Sequence, residues 1–228
     1  MLKKVTSKHI IKVIFNNIRL KRKLKIIKYN EKIKERLNIT EENFNRYETL
    51  KEFNKKYNSN IEDIDIKDLN LYNKKIGNEG LKDLIKIKFN EINELDLRKN
   101  NITDINDLEK FNLKKLKLLE LSYNKISVIE SLENINLNEL KEIYMCNNKI
   151  SDIKLLSKIN FNEITKLDLS YNNISDISIL SQVNFKWLKE IGLVHNKISD
   201  INVLDKVDFK ELTRIDISYN NISDINIL

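Results

Sequence analysis

The groups in this chain that could do covalent or acid–base chemistry are few: His9, His195 and Cys146 are its only histidines and cysteine. A thiol nucleophile needs a base within hydrogen-bond reach. Cys146 and His195 fall two units apart in an internal 24-residue echo, and strands stacked in that order would hold them about 10 Å apart, too far for a dyad. The sequence has no Gly-x-Ser-x-Gly, no Gly-x-x-x-x-Gly-Lys-Ser/Thr and no metal-spaced set of Cys and His. The Thr-Asp step at Asp104 and the Ser-Asp steps that end in Asp152, Asp176, Asp200 and Asp224 lack the Gly-rich nonapeptides with which β-rolls hold calcium. The expectation is a non-enzyme with no cofactor and no metal.

What remains is the chemistry of recognition. Asp96, Glu120, Tyr144, Asp168 and Asp216 share one position of the echo, and Tyr123, Tyr171, His195 and Tyr219 share another three residues on. Rigid phenols beside carboxylates are the groups that anchor protein interfaces, and they suit a partner segment carrying basic and apolar side chains. Filling the exposed end of a strand is the competing use of these tyrosines.

The elements that must position these residues are set by one asparagine per unit: Asn100, Asn124, Asn148, Asn172, Asn196 and Asn220. Each stands in the same frame, as in Leu116-x-x-Leu119-x-Leu121-x-x-Asn124-x-Ile126. A period of this length marks a solenoid in which no unit buries its apolar face alone. Leu-x-Leu is the inward side of a short strand, and alternate side chains then face outward onto a shared concave wall. Past the asparagine, Ile126, Ile129, Leu132, Ile135 and Leu137 supply the return across the core, answered two units later by Ile174, Ile177, Leu180, Val183 and Phe185. An inward-pointing amide suits the backbone groups that the turn leaves free, so the Asn column is structural. Ser or Asp before Ile-x-x-Leu is a helix N-cap signal, predicting one capped helical turn per coil on the outer side.

These residues resemble the leucine-rich repeat family over about residues 66 to 228. The phrase Asn-x-Ile-Ser-Asp-Ile is similar to the short repeats of bacterial internalins and of phosphatase-regulating leucine-rich proteins, and Leu69 to Gly80 resembles the ribonuclease-inhibitor variant. In that first unit Lys74 takes the Asn position, which predicts an irregular turn. The resemblance implies an α/β solenoid with a parallel concave sheet, and a scaffold that binds another protein.

Residues 1–60 carry no echo and 17 Lys and Arg against 6 Glu, whereas residues 61–228 carry 24 against 28. The two segments divide into a basic helical cap and the solenoid. Helices are predicted at Ser7–Ile18, Leu24–Leu37 and Glu41–Tyr57, the last capped by Thr40. A short Ile/Phe helix ahead of a Leu-rich basic one resembles the F-box arrangement of ubiquitin-ligase adaptors, without the Leu-Pro at which F-boxes usually begin. Adaptor and phosphatase subunit are therefore the alternative functions. The run Arg19–Lys25 reads as a solvated helix face, with nuclear targeting as the alternative, and no nucleic-acid motif accompanies it.

No apolar stretch reaches the length of a membrane span, and Met1 to His9 lacks a signal peptide's apolar core. One cysteine fits a reducing compartment, so the expected location is the cytoplasm, with the nucleus second. The absence of proline, three glycines and 34 asparagines point to a biased genome rather than disorder. The last unit stops at Leu228 short of its Val-x-Phe return, which reads as a fragment or as an edge that packs on a second copy.

Overall fold

The computed structural model describes residues 8–16, 18 and 20–224. Seven three-residue strands, β1 (Asp68–Asn70), β2 (Glu94–Asp96), β3 (Leu118–Glu120), β4 (Glu142–Tyr144), β5 (Lys166–Asp168), β6 (Glu190–Gly192) and β7 (Arg214–Asp216), form one parallel sheet in chain order. Each pairs with its equivalent one repeat on, Leu95 with Leu119, Leu119 with Ile143 and Ile143 with Leu167. The apolar positions of the frame all go inward: Leu116, Leu119, Leu121, Ile126, Ile129, Leu132 and Leu137 are buried, as are Ile164, Leu167, Leu169, Ile174, Ile177, Leu180 and Phe185. On the return side Phe161, Phe185 and Phe209 form a spine, with ring centroids 5.9 and 6.1 Å apart.

The Asn column joins each coil to the one before it. Asn124 Oδ1 accepts from the backbone N–H of Asn100 and of Ile102, each at 3.0 Å, while its Nδ2 donates to the carbonyls of Leu97 at 3.0 Å and Leu121 at 2.9 Å. Asn172 accepts from Ile150 N and donates to Met145 O and Leu169 O, all at 3.0 Å. Asn148, Asn196 and Asn220 repeat the pattern. In the first coil, where Lys74 stands in the column, Asn100 reaches back to accept from Lys74 N and Ile76 N. That turn is irregular: beyond Asn73, Lys75 and Gly77 also take positive φ, the former matched only by Asn101 of the next coil and the latter by no later coil.

The first coil is two residues longer than the others, Asp68 pairing with Glu94 and Glu94 with Leu118. Its extra length accommodates an α-helix, α5 (Gly77–Ile87), where the ribonuclease-inhibitor likeness lies. The later coils carry the expected short helical turn, in 3-10 form. Each has a 3-10 turn of four or five residues, such as Asn106–Lys110 and Ser178–Gln182. The aspartate, not the serine, opens it: Asp104, Asp152, Asp176 and Asp200 each accept from the N–H two residues on, at 2.8 to 2.9 Å. This is an Asx turn, and it suits a connection too short for a full α-turn.

Before the sheet come α1 (Lys8–Asn16), α2 (Leu20–Tyr29), α3 (Glu31–Leu37) and α4 (Glu41–Tyr57). Thr40 caps α4 with reciprocal bonds to Asn43. The helix expected over Leu24–Leu37 is two, because Asn30 takes a non-helical conformation and its Oδ1 accepts from Ile33 N at 3.2 Å to start α3. Ser7, the expected start of the first helix, and residues 225–228, with the expected open edge at Leu228, lie outside the described residues.

The run Arg19–Lys25 is not simply a solvated face. Lys23 is fully buried against Asp63, which also accepts from Tyr47 Oη at 2.9 Å. Burial, reinforced by Asp63, pushes the Tyr47 phenol well above its ordinary value, keeping it neutral as a donor. Arg46 on α4 caps the C-terminal carbonyls of α5, donating to Ile87 O at 3.0 Å, and reaches Asn90 Oδ1 at 2.9 Å. α2 and α4 are thereby fastened to the first coil, and α3 packs on α1 and α2.

Two stability predictions follow from these networks. Asn172→Ala leaves Ile150 N, Met145 O and Leu169 O without the amide and should cost roughly 1–3 kcal/mol; an unchanged urea midpoint contradicts it. Asp63→Asn strands the buried Lys23 ammonium and should cost about 3 kcal/mol. Hydrogen exchange should then show α2 losing protection ahead of β4 and β5, and equal protection in both variants and parent would contradict the network.

Candidate interaction surface on the concave wall

Three columns of side chains run across the sheet. The register places Asp68, Glu94, Leu118, Glu142, Lys166, Glu190 and Arg214 in the first, and Asn70, Asp96, Glu120, Tyr144, Asp168, Gly192 and Asp216 in the second. The third is Asn73, Lys99, Tyr123, Asn147, Tyr171, His195 and Tyr219. It lies beyond the strands in the following turn, not at a strand end, and every one of its residues has φ between 51° and 58°.

The central column is less open than its composition implies. Asn70, Asp96, Glu120, Asp168 and Asp216 each fold back to accept from the backbone N–H two residues on, at 2.9 to 3.2 Å. Asp96 is buried and held in a fork by Arg98, at 3.1 Å from Nε and 2.6 Å from Nη2. Burial raises the Glu120 carboxyl, opposed by its bonds to Ser122 and by Arg98. Ser218 N and Oγ hold Asp216 below the ordinary carboxylate range. All four acids of this lane are therefore engaged by their own backbone, which explains the recurring acid-x-Ser step.

Tyr144 is half-buried rather than an exposed anchor. Its hydroxyl donates to Glu142 Oε2 at 2.5 Å, and Lys166 Nζ stands 5.5 Å from the ring centroid. Burial first, and then Glu142, raises its pKa above that of an ordinary phenol.

The third column holds the exposed rings. Tyr123, Tyr171 and Tyr219 expose 50, 47 and 74% of their surface. The spacing of alternate coils predicted separate tyrosines, but His195 fills the gap: its ring lies 4.5 Å from Tyr171 and 4.2 Å from Tyr219, nearly parallel to the latter at 6°. At the other end Lys99 Nζ sits 5.0 Å from the Tyr123 ring and 5.4 Å from that of Tyr72. Tyr72 and Trp187, both exposed, are recognition candidates absent from the sequence-based set. Trp187 is legible in hindsight, since its column otherwise reads Glu91, Lys115, Glu139, Glu163 and Glu211.

Burial raises the Cys146 thiol and disfavours the reactive thiolate. Cys146 sits two coils from His195, and the side chain of His9 is outside the described residues. Among the described residues no group of three or more His, Cys, Asp or Glu is placed to hold a metal ion, and no helix is long and apolar enough to cross a membrane.

Comparison with known proteins agrees with this geometry. The leucine rich repeat pattern matches residues 90–150, its two-copy form residues 162–206, and a further repeat residues 211–225. No curated protein matches the chain. Among solved structures, an internalin (inlF) of Listeria monocytogenes is similar at 27% identity and a TM-score of 0.54, over 64% of this chain and 40% of its own. Internalin C2 of the same organism shares the fold at 24% identity and a TM-score of 0.59, over 78 and 87%. A leucine-rich repeat protein of Leptospira interrogans gives 25% and 0.51, over 62 and 34%. The chain thus spans less than half the length of two of these neighbours. With its coils, its asparagine column and three successive pattern matches in agreement, the chain belongs to the leucine-rich repeat family.

Proposed function

We propose that the chain is a non-catalytic scaffold that holds a partner protein on its concave wall, with the third column as the grip. The observation that carries this reading is the backbone beneath Tyr123, Tyr171 and Tyr219. All three stand at positive φ, a region that glycine and asparagine take most readily and that costs a bulky residue on the order of 1 kcal/mol. Asn73 and Asn147 show that the turn accepts asparagine. Rings kept at such positions, turned to solvent and stacked through His195, supply flat, pre-organised surface at low entropic cost. With Lys99 at one end and Glu142, Asp168 and Glu190 alongside, the wall suits a segment that presents aromatic and basic side chains.

The ligase-adaptor and phosphatase-subunit readings rested on likenesses of the helical segment and of the repeat phrase, and no contact described here favours either. The helices α2 and α4 are engaged with one another, and α4 with α5.

The test uses the same backbone argument. Replacing Tyr123, Tyr171 and Tyr219 together by Asn should leave stability equal or raised by about 1 kcal/mol per site, yet abolish capture of the partner from cells of the source organism. Undiminished capture by the folded triple variant would overturn the grip.

A further inference from the structure

The concave wall carries a second, longer period. Residues 140–153 recur at 188–201 with changes at only four consecutive positions, where Tyr144, Met145, Cys146 and Asn147 give way to Gly192, Leu193, Val194 and His195. The coils that follow also match: Lys166, Asp168, Ser170 and Tyr171 correspond to Arg214, Asp216, Ser218 and Tyr219. Positions 144 and 192 therefore have equivalent surroundings. Each lies between two acids, Glu120 and Asp168 for the first, Asp168 and Asp216 for the second. Each has a glutamate two residues back on its own strand, Glu142 or Glu190, and a cation on the next strand, Lys166 or Arg214. They are also the two central positions whose side chains have no acceptor to fold onto the backbone.

In β4 this seat is filled, the Tyr144 ring lying beside Lys166 with its hydroxyl on Glu142. In β6 the same seat is a hollow of about 170 Å³, bordered by Lys166, Asp168, Glu190, Gly192, Arg214 and Asp216. It is open to solvent on one side, and its volume is of the order that one aromatic ring takes in a closed apolar cavity, roughly 150 Å³. A Cβ on Gly192 would lie 2.7 Å from Asp168 Oδ1 and 2.9 Å from Ser170 Oγ, so a side chain there would have to displace Asp168 Oδ1 from Ser170 N, to which it is tied at 2.9 Å.

We propose that the hollow at Gly192 receives a tyrosine side chain of the bound partner, its hydroxyl donating to Glu190 and the Arg214 guanidinium lying along its ring, as Glu142 and Lys166 serve Tyr144. The border has three carboxylates and two cations, and Lys166 is already paired with Glu190 at 3.0 Å. That balance suits a neutral phenol donor and opposes an anionic ligand. The inference rests on the concave-wall reading, and names one side chain that the wall selects.

The test titrates the full chain with N-acetyl-tyrosinamide, with its phenylalanine, alanine and phosphotyrosine counterparts as comparisons. The amide of Gly192 is followed by 1H–15N NMR, where only Gly77 and Gly80 share its residue type. The tyrosine derivative should shift Gly192 and leave Gly77 and Gly80 in place. The phenylalanine derivative should bind about tenfold more weakly for want of the hydroxyl, and the alanine and phosphotyrosine derivatives should not bind. Glu190→Ala should weaken the tyrosine derivative by a similar factor. Tyr144→Gly, provided the spectrum remains that of the folded chain, should open a second equivalent seat and raise the stoichiometry from one to two. An unmoved Gly192 amide, equal shifts with all four compounds, or a stoichiometry of one in Tyr144→Gly would each overturn the proposal. Protein capture without a Gly192 shift counts against the hollow alone, and a Gly192 shift without protein capture counts against the scaffold reading alone.

Discussion

A turn that follows a three-residue strand leaves backbone donors and acceptors facing the core, and in this chain one carboxamide per coil has to satisfy them. Asn124 alone serves two amide protons and two carbonyls drawn from two successive coils. No other neutral side chain of that length both donates and accepts twice, and asparagine fills the column in every coil from Asn100 to Asn220. The first coil, where Lys74 stands in the column, is closed in the same way by Asn100, and differs in its added length, its left-handed Gly77 and an α-helix in place of the 3-10 turn. The parallel register, the buried leucine stripes and the position of every outward side chain depend on that bond being made at a fixed interval.

With the inside so constrained, variation is confined to the wall, and there the demands of backbone and of recognition overlap. The carboxylates of the central column are outward residues by register, yet five of the seven positions bond to amides two residues on. The turn that ends each strand also forces positive φ on the residue before the ladder asparagine. Tyrosine there opposes local preference, whereas the acids of the central column are locally useful. This asymmetry directs attention from the charges, which a reading by composition favours, to the rings beside them.

The repeat frame was legible because it is a hydrophobic and amide pattern of constant period, and Leu119, Leu121, Asn124 and Ile126 are constrained by the same contacts in every coil. The columns themselves could be assigned by counting. Their state could not. That Asp96 is buried under Arg98, or that Tyr144 turns its hydroxyl back to Glu142, depends on side-chain pairs two residues apart whose types change from coil to coil, which a period alone does not encode. Asn30 was hidden inside an apparently continuous helical pattern, since asparagine is only mildly unfavourable there and its role as a cap appears only when the chain bends. Lys23 misled most: within a basic run it resembles its solvated neighbours, and only the fold brings Asp63 to it from forty residues away.

The asparagine bonds also have a direction. Asn124 closes the turn of the preceding coil, Asn148 that of Asn124's own coil, and so on to Asn220. A coil's asparagine binds carbonyls of its own strand end, but the amide protons of its turn are met by the asparagine of its successor. A solenoid built up from its helical end would therefore leave the turn of its newest coil open until the asparagine 24 residues on was in place, each added turn acting as the latch of the last.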